Sequence, residues 1–136
     1  MCMKRLILVL LLPVSLYFNL LSAQTVEEGK QHLHAMRFAS AIDHFQKMYA
    51  ASPNNPDVAY WLGQAYLESD EALTERLDQA RKVYTAALAA TNDAPLIKAG
   101  MGHVELLAGQ TDAARTLFEA ALLNARDKKG DNPVIC

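Results

Sequence analysis

The sequence predicts an all-α chain of repeated helical hairpins, on three observations: a thrice-repeated small/aromatic spacing, apolar residues recurring with helical period, and Pro/Asn/Gly punctuation at regular intervals. The repeated unit carries a glycine, a turn region, an alanine, an aromatic four residues later and a small or flexible apolar residue three beyond that. These are Gly29, Ala41, Phe45 and Met48; then Gly63, Ala80, Tyr84 and Ala87; then Gly102, Ala114, Phe118 and Ala121.

Along the chain, the first segment is a leader. Lys4 and Arg5 precede an uncharged, Leu-rich run from Leu6 to Leu21, which ends in the small-residue pattern Leu21-Ser22-Ala23. A charged start, an apolar run and a small-residue site are the parts of a secretory signal peptide. Cleavage is expected after Ala23, giving a periplasmic or secreted protein; the alternative is an uncleaved segment anchoring the chain in the inner membrane. The run is short for a span and is interrupted by Pro13 and Asn19. Residues 24–136 hold 11 of the 13 basic and all 15 acidic residues, so their net charge is 11 − 15 = −4. No basic stripe with interleaved aromatics is present, which argues against nucleic acid as a partner. Cys2 lies in the leader and Cys136 is the last residue, so no internal disulfide is expected after cleavage, and Cys136 is left to pair, if at all, with another chain.

Helical faces follow. Ala41-Ile42-Phe45-Met48-Tyr49, Ala80-Val83-Tyr84-Ala87-Leu88 and Ala114-Leu117-Phe118-Ala121-Leu122 keep the i, i+3, i+4, i+7, i+8 spacing of a buried helix face, and each reads as the second helix of a hairpin. Leu62-Gly63-Ala65-Tyr66 and Met101-Gly102-Val104-Glu105 mark first helices, where small residues admit a close partner. Asn55 is suited to cap a helix and Pro56 to its first turn; Asn92-Asp93-Ala94-Pro95 is expected to repeat the device. Gly109-Gln110-Thr111 supplies a residue tolerant of positive φ and a capping hydroxyl. Lys128-Lys129-Gly130 closes a helix, and Asn132-Pro133 opens what reads as a further one. The third unit is expected to expose Leu117 and Leu123, as in a fragment of a longer array with further repeats beyond Cys136.

These spacings resemble the tetratricopeptide repeat, a 34-residue helix–turn–helix family. The resemblance implies a right-handed α-solenoid of about three stacked antiparallel hairpins after the leader, with units near 24–55, 56–94 and 95–128. The second unit is five residues too long between Tyr66 and Ala80, read as helix extension plus a protruding elbow around Ser69 to Leu77. The first has Glu28 and His32 where the family prefers apolar and aromatic residues, as a water-facing cap would. Trp61 sits beside the family's tryptophan position.

Chemistry is sparse. His32 and His34 are two residues apart and so lie about 200° apart around a helix, unable to face one metal. His44 and His103 lie on other helices without cysteine or paired carboxylates nearby, and all four histidines are expected at the surface or in a groove. No nucleophile elbow or phosphate-binding glycine loop is present. The sequence therefore points to no enzyme, no metal and no cofactor. The resemblance implies a concave surface that binds a protein or peptide, lined by Val26, Lys30 and His34 in the first unit, Tyr60, Gln64 and Glu68 in the second, and Ala99, His103 and Leu107 in the third. The alternative is a spacer or oligomerisation arm of a longer envelope protein, making contact through its C-terminal end.

Overall fold

The computed structural model describes residues 25–129, and the readings of the leader, of both cysteines and of Asn132-Pro133 fall outside them. Six helices follow one another: α1 (Val26–His34), α2 (Phe38–Ala51), α3 (Pro56–Glu68), α4 (Leu73–Ala90), α5 (Pro95–Leu107) and α6 (Thr111–Lys129), with no strand among the described residues. They pair as α1/α2, α3/α4 and α5/α6. None of them is long and apolar enough to cross a membrane.

Local signals explain most boundaries. Thr25 caps α1 in a reciprocal box: its hydroxyl accepts from the Glu28 amide at 3.3 Å, and the Glu28 carboxylate accepts from the Thr25 amide at 3.2 Å. Glu28, out of place by family preference, thus has a local role. Asn55 caps α3, accepting from the amides of Asp57 and Val58, with Pro56 in the first turn. Before α5 only half of that device recurs. Ala94 occupies the cap without a side-chain hydrogen bond, and Asn92 and Asp93 instead adopt left-handed backbone (φ 51° and 60°). Thr111 is the first residue of α6 rather than its cap.

The turns of the first and third hairpins share one geometry. Gly109 (φ +80°) donates to the Leu106 carbonyl while Gln110 donates to Glu105; Met36 (φ 55°) donates to Leu33 while Arg37 donates to His32. Both are Schellman closures, in which the left-handed residue is ordinarily glycine. The middle turn differs. Its extra residues form the bend at Ser69–Glu71 and the first turn of an 18-residue α4, which buries Leu77 and sends Arg76 back to donate to the Leu67 carbonyl at 2.7 Å, closing the end of α3.

Two apolar clusters run through the stack. One gathers Leu33, Ala41, Phe45, Leu62 and Ala65 between the first and second hairpins; the other gathers Ala59, Leu67, Ala80, Tyr84, Ile97 and Val104 between the second and third. Each fully buried Val, Ile or Phe contributes about 1.5–3 kcal/mol relative to exposure. Each second helix lays its aromatic on a first-helix glycine: Phe45 on Gly29, Tyr84 on Gly63 and Phe118 on Gly102. A side chain at any of these glycines would overlap the ring.

The last helix departs from the periodic expectation. Leu122, read as part of the buried face, is 62% exposed; Leu123 is exposed as expected, at 59%, whereas Leu117, expected to be exposed with it, is half-buried. Among the described residues α6 packs against α5 and no other helix, so its apolar face is only partly covered. His44 also departs from expectation: it is buried, its Nε2 lying 2.9 Å from the Thr25 carbonyl and its ring edge-on to His32 and Phe45.

Candidate functional site

The three first helices form one surface. α1 packs on α3 and α3 on α5, while α2 meets α3 and α4 meets α5; within the described residues the second helices do not pack on one another. Close spacing on one side and wide spacing on the other bends a stack, so the chain is concave along α1, α3 and α5.

At the centre of that surface is Tyr84, whose fully buried ring comes from α4 and passes between Gly63 of α3 and Gly100 of α5. Its hydroxyl donates to the Tyr60 carbonyl at 3.0 Å and accepts from the Gln64 side-chain amide at 2.8 Å. The other end of the Gln64 amide, Oε1, lies 3.1 Å from His103 Nδ1, and since a carbonyl oxygen only accepts, that nitrogen is the donor; Nε2 makes no hydrogen bond among the described residues. Tyr84, Gln64 and His103 thereby tie α4, α3 and α5 together under the concave face. Burial pushes the Tyr84 hydroxyl pKa far above its ordinary value, with Tyr60 and Glu68 adding to the rise and the Gln64 hydrogen bond opposing it.

Beside this buried network runs a partly exposed row. The Lys30 ammonium sits 5.2 Å from the centre of the Trp61 ring and 3.0 Å from Glu27. Trp61 meets Tyr60 edge-on at 5.4 Å, and Tyr60 lies 6.4 Å from the Tyr84 ring. Partial desolvation, and then the charge of Glu68, raise the Tyr60 pKa. Arg81 pairs with Glu105 at 2.9 Å at the α4–α5 contact.

Of the residues nominated from sequence, the structure therefore joins Lys30, Tyr60, Gln64 and His103 into one continuous set. Gln64 is only 6% exposed and both ends of its amide are engaged, so it forms the floor of the surface. Val26 packs into the first cluster, Ala99 is half-buried, and His34, Glu68 and Leu107 are exposed. Among the described residues His34 makes no side-chain hydrogen bond or ion pair that links it to this set, and the methyl of Ala99 can make none. Trp61, Tyr84 and Gly100 were not nominated, although the odd tyrosine among two phenylalanines was a visible signal: a hydroxyl buried at that position requires polar partners. No group of three or more His, Cys, Asp or Glu able to hold a metal ion occurs among the described residues.

No curated protein matches the chain. The family model of the tetratricopeptide repeat matches residues 32–72 and 73–131, breaking at the elbow before α4 rather than between hairpins. With that match over most of its length and six helices stacked as hairpins, the chain belongs to the tetratricopeptide repeat family.

Proposed function

We propose that this chain is a non-catalytic adaptor that holds an extended or helical segment of another protein against the concave face of α1, α3 and α5. Tetratricopeptide repeats are in general protein–protein interaction modules. The observation that carries the finer reading is the Lys30–Trp61–Tyr60 row beside Nε2 of His103. Half-buried aromatics anchored from below present area at low entropic cost, and such residues dominate binding energy in many interfaces. The amide floor is rigid and already satisfied, so recognition falls to Tyr60, Trp61, Lys30, His103 and the exposed carboxylate of Glu68. Export belongs to the same reading, motivated by the charged start and apolar run of residues 4–23; protein recovered from its own cells that begins at Gln24 supports cleavage, protein that keeps the leader in the membrane fraction supports the anchored alternative, and protein that keeps the leader in the cytoplasmic fraction refutes export.

The test is selection of displayed random peptides on the full chain, followed by retesting on variants. Tyr60→Ala removes only the ring, because Tyr84 donates to the Tyr60 main-chain carbonyl. Selected peptides are expected to lose roughly tenfold or more in affinity on Tyr60→Ala and on His103→Ala. Peptides that bind both variants as tightly as the parent would remove the concave face from consideration.

A further inference from the structure

We propose that the chain self-associates through the outward face of α6, two copies laying this helix antiparallel across a two-fold axis. The inference stands apart from the concave face and rests on four residues. Glu119, Leu122, Leu123 and Arg126 line one shallow surface depression of about 290 Å³. Their spacing, i, i+3, i+4 and i+7, puts them on one helical face. Both leucines are more than half exposed, and neither Glu119 nor Arg126 makes an ion pair within the described residues.

The order of the four residues singles out the occupant. When two identical helices cross antiparallel with the axis between Leu122 and Leu123, residues equally distant from that point on opposite sides meet. Leu122 then faces Leu123 of the second copy, and three residues further out Glu119 faces Arg126 of the second copy, each contact occurring twice. A parallel alignment would instead set Glu119 against Glu119 and Arg126 against Arg126. The stripe is therefore complementary to itself only in the antiparallel sense, which is the condition an isologous two-fold interface must meet. Beside the stripe a second depression, lined by Leu106, Phe118, Leu122 and Arg115 among others, extends the apolar area toward α5. One helix face with this rim is small for a protein interface, so a weak, concentration-dependent dimer is expected.

Sedimentation equilibrium of the protein as its cells process it, from about 1 to 200 µM, reads the association directly. The expected result is a monomer–dimer equilibrium in the micromolar range. Leu122→Asp should weaken it at least tenfold, and Glu119→Arg and Arg126→Glu should each weaken it several-fold. Combining the two reversals should restore association to within about threefold of the parent, since the swapped charges again meet. A protein monomeric throughout the range overturns the proposal, as would happen if a further repeat or another partner covers this face. A dimer indifferent to Leu122→Asp, or a double reversal no stronger than the singles, overturns it equally. Circular dichroism checks that Leu122→Asp retains its helix content; should that variant unfold, the three charge variants decide alone.

Discussion

The Tyr84 hydroxyl and the Gln64 side-chain amide meet at 2.8 Å beneath the concave face, joining α4 to α3, and the other end of the same amide carries the link on to His103 of α5. Tyr84→Phe removes the acceptor for the Gln64 amide and leaves that donor buried, so a loss of about 1–3 kcal/mol is expected. Gln64→Leu should cost a similar amount. The double variant should cost clearly less than the sum, because no polar atom of the pair is left stranded. Urea unfolding of the four proteins measures the cycle; strict additivity would show that the contact is not energetically coupled.

The same hydroxyl predicts weakness toward alkali. Its folded pKa lies far above the ordinary value of 10.0, so up to about pH 10 both folded and unfolded chains keep the proton and its contribution is intact. Above that, the unfolded chain releases the proton while the folded chain retains it, and stability falls with a limiting slope of about 1.4 kcal/mol per pH unit for this one group. Tyr84→Phe should flatten the decline between about pH 10 and pH 11.5 by up to that slope, in chemical denaturation at stepped pH. An unchanged slope would place the alkaline sensitivity in other groups, Tyr60 first, since its pKa is also raised.

Glycine substitutions should separate two kinds of glycine. A methyl at Gly63 would fall within the Tyr84 ring, and one at Gly100 would stand 2.6 Å from Cζ of that ring. Alanine gains about 1 kcal/mol in helix propensity, but the ring is closed in from both sides and cannot withdraw. Net destabilisation of at least about 2 kcal/mol is expected at either position. At Gly109 nothing lies within 4 Å of the added methyl, and only the positive φ opposes it, so Gly109→Ala should cost about 1 kcal/mol. Thermal unfolding that ranks Gly109→Ala as the most damaging of the three would contradict the ring packing.

Two exposed positions should accept stabilising changes. Met36 holds the left-handed place that Gly109 fills in the third hairpin, and its side chain is 74% exposed, so Met36→Gly should gain up to about 1 kcal/mol. Ala72 begins α4 with no side-chain cap, and Glu75 stands at the third helical position. Ala72→Ser would complete a capping box there and should gain about 0.5–1 kcal/mol. A fall in melting temperature on either change would show that the turn is held by something other than its backbone geometry.

What was legible in the sequence is what repeats. The Gly29/Phe45, Gly63/Tyr84 and Gly102/Phe118 pairs recur with the units, and the structure lays each aromatic on its glycine. The Asn55–Pro56 start and the Gly109 turn were equally readable, because caps and left-handed turns depend on a few adjacent residues. The rest depends on how neighbouring helices are rotated against one another. Periodicity assigns Trp61 to a helix but not to a place under the Lys30 ammonium, and it gives no reason for His44 to reach the Thr25 carbonyl nineteen residues away. Leu122 fits the buried pattern of its helix and is exposed because coverage depends on a neighbour, which among the described residues α6 has on one side only. The Met36 turn went unseen because its backbone adopts a glycine-type conformation without glycine.

At the place in the second unit where Trp61 stands, two residues before the repeat glycine, the third unit has Gly100. Trp61 packs into the cluster around Phe45, whereas Gly100 makes room for the larger Tyr84. Each junction therefore has its own lock and key, and the hairpins are not interchangeable beads. A chain in which the second and third units exchanged places would bring Trp61 toward Phe118 and leave Tyr84 without the glycine that admits it. Duplication or shuffling of a unit within such an array would succeed only when the residue two places before the neighbouring glycine changed with it, so the order of the hairpins is written into the stack itself.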